Sequence, residues 1–166
     1  AIFVEIGHRH GEAKSLGNIG EISRLRGALA ESNRLHSASL VIMREIGDQQ
    51  GEARVLGSLG NLLVQQGNHD EAERLFRDSL AIFVEIGHRH GEAKSLGNLG
   101  EMARIRGDLA ESKRLHNASL VIKREIGDRQ GEANTLGGLG SIAKKLGDLA
   151  EAERLFRDSL AINREI

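Results

Sequence analysis

The chain has 166 residues, 39% of them hydrophobic, with 23 basic against 24 acidic side chains, only four Phe, and no Cys, Pro, Trp or Tyr. Balanced charge and scarce aromatic rings argue against a nucleic-acid partner, and no apolar run approaches the ~20 residues that cross a bilayer. No signal peptide is visible, and the lack of cysteine excludes disulfides and thiolate metal sites, which is compatible with a cytoplasmic location.

The sequence repeats every 40 residues. Blocks 11–40, 51–80, 91–120 and 131–160 each open on Gly-Glu-Ala, pass Leu-Gly-x-(Leu/Ile)-Gly and a mid-block Gly, and close on Ser-Leu. A period of this size marks an array whose units bury apolar faces against their neighbours. Such arrays mostly present surfaces, which lowers the expectation of an enzyme.

In chain order, residues 1–6 match 161–166 in register and read as the last turns of a preceding helix, so the chain reads as a fragment of a longer array. Apolar or small residues then recur at three- and four-residue steps through Ala13, Leu16, Ile19 and Ile22, which predicts a helix A over about 12–26. Gly27 stands where a C-terminal cap is wanted. Leu29, Ser32, Leu35, His36, Ser39, Leu40, Ile42 and Ile46 carry the same spacing through a helix B over about 29–46, and Gly47 ends it. The other blocks repeat this plan, which gives units 11–46, 51–86, 91–126 and 131–166. Asp70 and Asp108 fall near the start of second helices, where a carboxylate suits the dipole.

A second period overlies the first. Residues 1–40 and 81–120 agree at 33 of 40 positions, whereas 41–80 and 121–160 agree at 26, with the differences clustered in 61–70 against 141–150. Two blocks copied together is the simple explanation. The cluster reads either as drift on a solvated face or as a specialised surface.

Little in the chain resembles catalytic chemistry. His8-Arg9-His10-x-Glu12 and its copy at 88–92 offer zinc-type ligands, yet the other copies read Asp48-Gln49-Gln50 and Asp128-Arg129-Gln130. A solvated turn, without a metal, is the expectation. His36 and His116 fall on the core stripe and are expected to be packed and hydrogen-bonded. No P-loop or nucleophile–base set occurs, and Leu-Gly-Asn-Leu-Gly lies within a helix, so no cofactor is expected.

Leu56-x-x-Leu59-Gly60, followed by Gly67, Ala72, Phe76 and Leu80, resembles the tetratricopeptide repeat pattern, and Leu136-x-x-Leu139-Gly140, Gly147, Ala152 and Phe156 repeat it. The long period is similar to a subclass that includes Pins-type spindle adaptors, kinesin light chains and the sensor arms of bacterial signalling ATPases. The resemblance implies an all-α fold, a right-handed superhelical solenoid of antiparallel helix pairs. Departures are present: the family's helix-A tyrosine is Ser23, Leu63, Ala103 and Ala143, and the helix-B aromatic is His36 and His116 in two units.

In that fold helix A lines a concave groove, and the stripe that avoids the core carries the candidate partner-binding residues. They are Lys14, Asn18, Glu21 and Arg24, then Arg54, Ser58, Asn61 and Gln65, then Lys94, Asn98, Glu101 and Arg104, and finally Lys144. Asn side chains both donate and accept, which suits the backbone of an extended peptide. Glu21 with Arg24, and Glu101 with Arg104, are spaced to pair with each other. Gly17, Gly57, Gly97 and Gly137 interrupt the stripe, each costing ~1 kcal/mol against Ala within a helix. Either neighbouring helices approach closely there, or a ligand backbone lies on the groove floor. The lysine by which chaperone-type members clamp a C-terminal carboxylate is replaced by these glycines.

The leading expectation is a protein–protein interaction scaffold that holds a peptide segment of a partner in this groove. The alternatives are a structural or self-assembling array that stacks end to end as a homo-oligomer, or the sensor arm of a larger signalling ATPase.

Overall fold

A computed structural model describes residues 2–166, with side chains from Glu5 onward. Among the described residues every element is an α-helix: α1 (Ile2–Leu25), α2 (Leu29–Glu45), α3 (Gln49–Gln65), α4 (His69–Glu85), α5 (Arg89–Ile105), α6 (Leu109–Glu125), α7 (Arg129–Lys145) and α8 (Leu149–Glu165). They fall into two compact units, with the division of the chain between His88 and Arg89. In the first, α1 packs on α2, α2 on α3 and α3 on α4; in the second, α5, α6, α7 and α8 pack successively in the same way.

The turns follow from glycine. Gly47 takes φ of 70°, a conformation that costs glycine little and a side chain much. It donates to Arg44 O at 3.2 Å, and Asp48 N donates to Met43 O at 2.9 Å. This six-to-one and five-to-two pattern ties off the last carbonyls of the helix. Gly27, Gly67, Gly87, Gly107, Gly127 and Gly147 take the same left-handed conformation.

Helix A begins earlier than its apolar spacing predicts, at Gln49, Arg89 and Arg129. At α3 and α7 the cause is capping: Asp48 Oδ1 accepts from Gly51 N, and Asp128 Oδ1 from Gly131 N, each at 2.8 Å. Arg9 and His10 lie inside α1, and Arg89 and His90 open α5, so these residues are helical and not turn residues, which corrects the expectation for these motifs. His10 Nδ1 lies 3.0 Å from Asp48 Oδ2. Arg9 bridges Glu12 and Glu45, and Arg89 bridges Glu92 and Glu125.

The first junction departs from the others. Residues 1–18 and 81–98 are identical in sequence. In the second copy the chain ends α4, bends at Gly87 and begins α5, with His88 stacked 5.1 Å from Phe83. In the first copy α1 runs straight through Gly7. Identical local sequence with two backbone paths means that surrounding contacts, not propensity, choose between them.

Helices A and B approach closely through small residues. Ala13, Ala53, Ala93 and Ala133 are fully buried. Their carbonyls accept hydrogen bonds from Ser39, Ser79, Ser119 and Ser159 Oγ at 2.7–2.8 Å. Each serine can thus enter the interface without an unmet hydroxyl. The ring of helix B, at His36, Phe76, His116 and Phe156, lies over Gly20, Gly60, Gly100 and Gly140.

Two of the four helix-B starts, at Ala28 and Asn68, lack the side-chain cap bond that the other two have. Ala28 caps α2 with no side-chain bond, whereas Asp108 and Asp148 accept from Glu111 N at 3.0 Å and Glu151 N at 3.1 Å on nearly the same backbone dihedrals. Ala28→Asp is expected to stabilise the fold by roughly 0.5–2 kcal/mol. A thermal melt that moves upward checks this; an unchanged or lower midpoint refutes it.

Candidate functional site

The outward stripe of the A helices divides by charge partner. Near the helix starts, Lys14, Arg54 and Lys94 are exposed. Among the described residues none of the three makes an ion pair, so their charge is available to a ligand. Near the ends of α1 and α5 the cations are already engaged. Arg24 grips Glu21 through Nε–Oε2 at 2.9 Å and Nη2–Oε1 at 2.6 Å. Arg104 grips Glu101 in the same two-pronged way. These forks hold the Arg24 and Arg104 guanidiniums above their ordinary pKa, and the Arg104 bond holds the Glu101 carboxyl below its own. Lys145 of α7 adds to the lowering at Glu101.

In the first unit the ends of α1 and α3 enclose an open depression of about 540 Å³, lined by Arg24, Leu25, Asn61, Val64 and Gln65. Arg24 Nη1 donates to Gln65 Oε1 at 3.3 Å across its mouth. The depression combines one guanidinium, two amides and two aliphatic side chains. That set offers donors, acceptors and an apolar contact to a short stretch of extended chain.

The structure thus brings Arg24, Asn61 and Gln65 together. Lys14 and Asn18 lie earlier along the exposed face of α1, with Arg54 and Ser58 earlier along α3. Ser58 Oγ donates to Arg54 O at 3.2 Å, a bond within its own helix. In the second unit Asn98 is partly exposed on α5 beside the Glu101–Arg104 fork, and Lys144 is exposed on α7, without an ion pair among the described residues. Leu25 and Val64 were missed by sequence reasoning. Their signal was an apolar residue in the last turn of helix A, where a core stripe no longer needs one.

The structure bears on the first of the two readings of the mid-helix glycines, that of close helix packing. A Cβ at Gly17, Gly57, Gly97 or Gly137 would meet only a serine Oγ, at 3.6–3.9 Å, which is ordinary contact. Helix packing does not require glycine there. It requires glycine one turn later: a Cβ at Gly60 would lie 2.5 Å from Phe76 Cε1. His36 is buried over Gly20 as expected, but neither ring nitrogen finds a hydrogen-bond partner. Its surroundings are the apolar interface that Phe76 occupies in the neighbouring hairpin.

Comparison with known proteins places these features. The tetratricopeptide repeat family model matches residues 11–83 and 91–165. No curated protein sequence matches the chain. Among solved structures, BtubC (BKLC) from P. vanneervenii is similar at a TM-score of 0.82 and 19% identity, over 92% of this chain and 63% of that one. The apo form of RapI is similar at 0.85 and 19% identity, over 93% and 57%. Aspartyl phosphate phosphatase F from Bacillus subtilis is similar at 0.89 and 11% identity, over 95% and 41%. The chain spans between 41% and 63% of the length of these structures, and at such identities the likeness is one of fold. Among the described residues no helix is long and apolar enough to cross a membrane.

Proposed function

We propose, for a chain that belongs to the tetratricopeptide repeat family, that the exposed face of its A helices is a non-enzymatic docking surface for an extended peptide segment of a partner protein in the cytoplasm. The observation that carries this reading is the depression between α1 and α3. Asn61 and Gln65 bond the peptide backbone there, and Leu25 and Val64 take a small apolar side chain. Lys14 and Arg54 attract carboxylates of the peptide toward the starts of the same helices. The Glu21–Arg24 fork holds the guanidinium in place, so little side-chain freedom is lost when a ligand arrives.

Peptides selected from a random displayed library on the parent chain test this. They are expected to be acidic, and to bind at least ~10-fold more weakly to the Lys14→Glu, Arg54→Glu variant. Both positions are exposed, so helicity measured by circular dichroism should be unchanged. Selected peptides that bind parent and variant equally would refute the proposal, as would a library that yields none.

A further inference from the structure

The two units share one plan but place their spare cations at opposite ends of it. α1 and α5 carry the same outward charges, Lys14, Glu21 and Arg24 on one and Lys94, Glu101 and Arg104 on the other. α3 and α7 do not. Arg54, near the start of α3, corresponds to Asn134 on α7, while Val64 and Gln65, in the last turn of α3, correspond to Lys144 and Lys145. The lysines fall in the segment where the 80-residue copies differ most, 61–70 against 141–150. The core beneath is kept, because Leu62 and its counterpart Ile142 are both fully buried. The difference is confined to the surface.

It reverses the chemistry at the ends of the A helices. In the first unit Arg24 Nη1 donates to Gln65 Oε1 at 3.3 Å. Lys145 stands at that position in the second unit, and an ammonium group has no acceptor to offer. Arg104 keeps its fork on Glu101 through Nε and Nη2, and its side chain is 34% exposed against 23% for Arg24. Lys145 lies near enough to Glu101 to assist Arg104 in holding that carboxyl below its ordinary pKa. Lys144 takes the place of Val64, which lines the first unit's depression together with Arg24. Both lysines are exposed, and among the described residues neither makes an ion pair. Arg104, Lys144 and Lys145 against Glu101 leave two positive charges unbalanced. The negative end of the α7 dipole offsets only about half a charge of this.

We propose that the ends of α5 and α7 form a site for a phosphorylated serine or threonine of a partner peptide, with Lys144, Lys145 and Arg104 Nη1 as its donors. A carboxylate would neutralise one of the two spare charges. A phosphate monoester carries about −1.5 to −2 at neutral pH and three acceptor oxygens, which matches both the charge and the donors. The site rests on the reading of the A-helix face as a peptide-docking surface. It differs from the depression of the first unit, where the same positions meet an apolar side chain, and its occupancy is switched by modification of the partner.

A synthetic array of random peptides with a central phosphoserine, each paired with its serine and glutamate forms, tests this. The parent chain is expected to hold its best phosphopeptides at least ~10-fold more tightly than their serine forms, with the glutamate forms between. Lys144→Val with Lys145→Gln installs the residues that α3 carries, and the ratio is expected to fall to about one. Adding Val64→Lys and Gln65→Lys to that variant is expected to restore the preference, because α1 supplies the same fork through Glu21 and Arg24. Adding Val41→Lys and Val121→Lys instead, at exposed positions of the B helices, returns the same charge and is expected to restore nothing. Restoration by net charge alone, or none from the lysines at 64 and 65, would overturn the proposal. So would a ratio that survives Lys144→Val, Lys145→Gln while the thermal midpoint falls, which would assign the lysines to the helix end. Binding of phosphatidylserine vesicles through these lysines, with no preference for phosphopeptides, would overturn it in favour of a membrane surface. A parent that ignores the phosphate but holds unmodified peptides through Lys14 and Arg54 would overturn this site and leave the docking surface standing. An array that yields no binding would overturn both.

Discussion

Gly60→Ala is expected to lower stability by about 1–3 kcal/mol, while Gly57→Ala, one turn earlier on the same helix, raises it by roughly 0.5–1 kcal/mol. A Cβ at position 60 would stand 2.5 Å from Phe76 Cε1 and under 3 Å from two further ring atoms. Phe76 is fully buried and cannot swing outward, so α3 and α4 must separate. A Cβ at position 57 meets only Ser79 Oγ, at 3.8 Å. That contact is ordinary, and alanine restores the helix propensity that glycine forgoes. Urea unfolding of the two variants decides the matter through the sign of each midpoint shift; shifts of the same sign would contradict the packing described. Gly57→Ala has a second use. If it stabilises the chain but weakens selected peptides, the glycine serves the ligand and not the fold.

Replacing His36 by phenylalanine is expected to stabilise the protein by about 1–3 kcal/mol, the cost of two buried ring nitrogens without partners. Phe76 shows that the larger apolar ring fits over a glycine in the same interface. Burial pushes the His36 imidazole below its usual pKa, offset in part by Glu21 and reinforced by Arg24. Burial lowers His116 in the same way. Both rings are therefore neutral in the fold at a pH where the unfolded chain already binds a proton. Their contribution to stability is fully present above the unfolded value of about 6.5 and is lost as pH falls toward the lower folded values. Denaturant midpoints between pH 7 and pH 5 should fall less steeply in the His36→Phe, His116→Phe variant than in the parent. An equal or steeper fall would show that these rings are not the groups responsible.

The sequence makes the helix ends readable wherever glycine enters the left-handed region, because no other residue takes that conformation at so little cost. Gly27 and Gly47 punctuate the chain where the apolar spacing breaks. The starts of helix A were less legible. Asp48 and Asp128 lie five residues before the first periodic apolar positions, Ala53 and Ala133, and the intervening residues read equally well as turn or helix. The outward stripe could be read from spacing, and so could the pairing of Glu21 with Arg24. That Lys14 and Arg54 find no carboxylate among the described residues could not, since partners on neighbouring helices are invisible in one dimension. The depression at the ends of α1 and α3 needs Leu25 and Val64, whose place beside Arg24 depends on how two non-consecutive helices converge. His36 shows the limit of pattern reading: periodicity put it in the core, but only the surroundings reveal that its nitrogens go unmet.

The two backbone paths taken by the shared sequence of residues 1–18 and 81–98 have a consequence for how such an array grows. In a one-dimensional lattice picture, each site has its own field and a coupling to its neighbours. Here the bend at the glycine is absent from the field and is supplied by the coupling. A junction of this kind needs no sequence adjustment when a block is inserted or lost beside it, because the newcomer brings the bend with it. Tandem copying of 80-residue blocks then extends the array without a seam, and the joint costs no mutations to prepare.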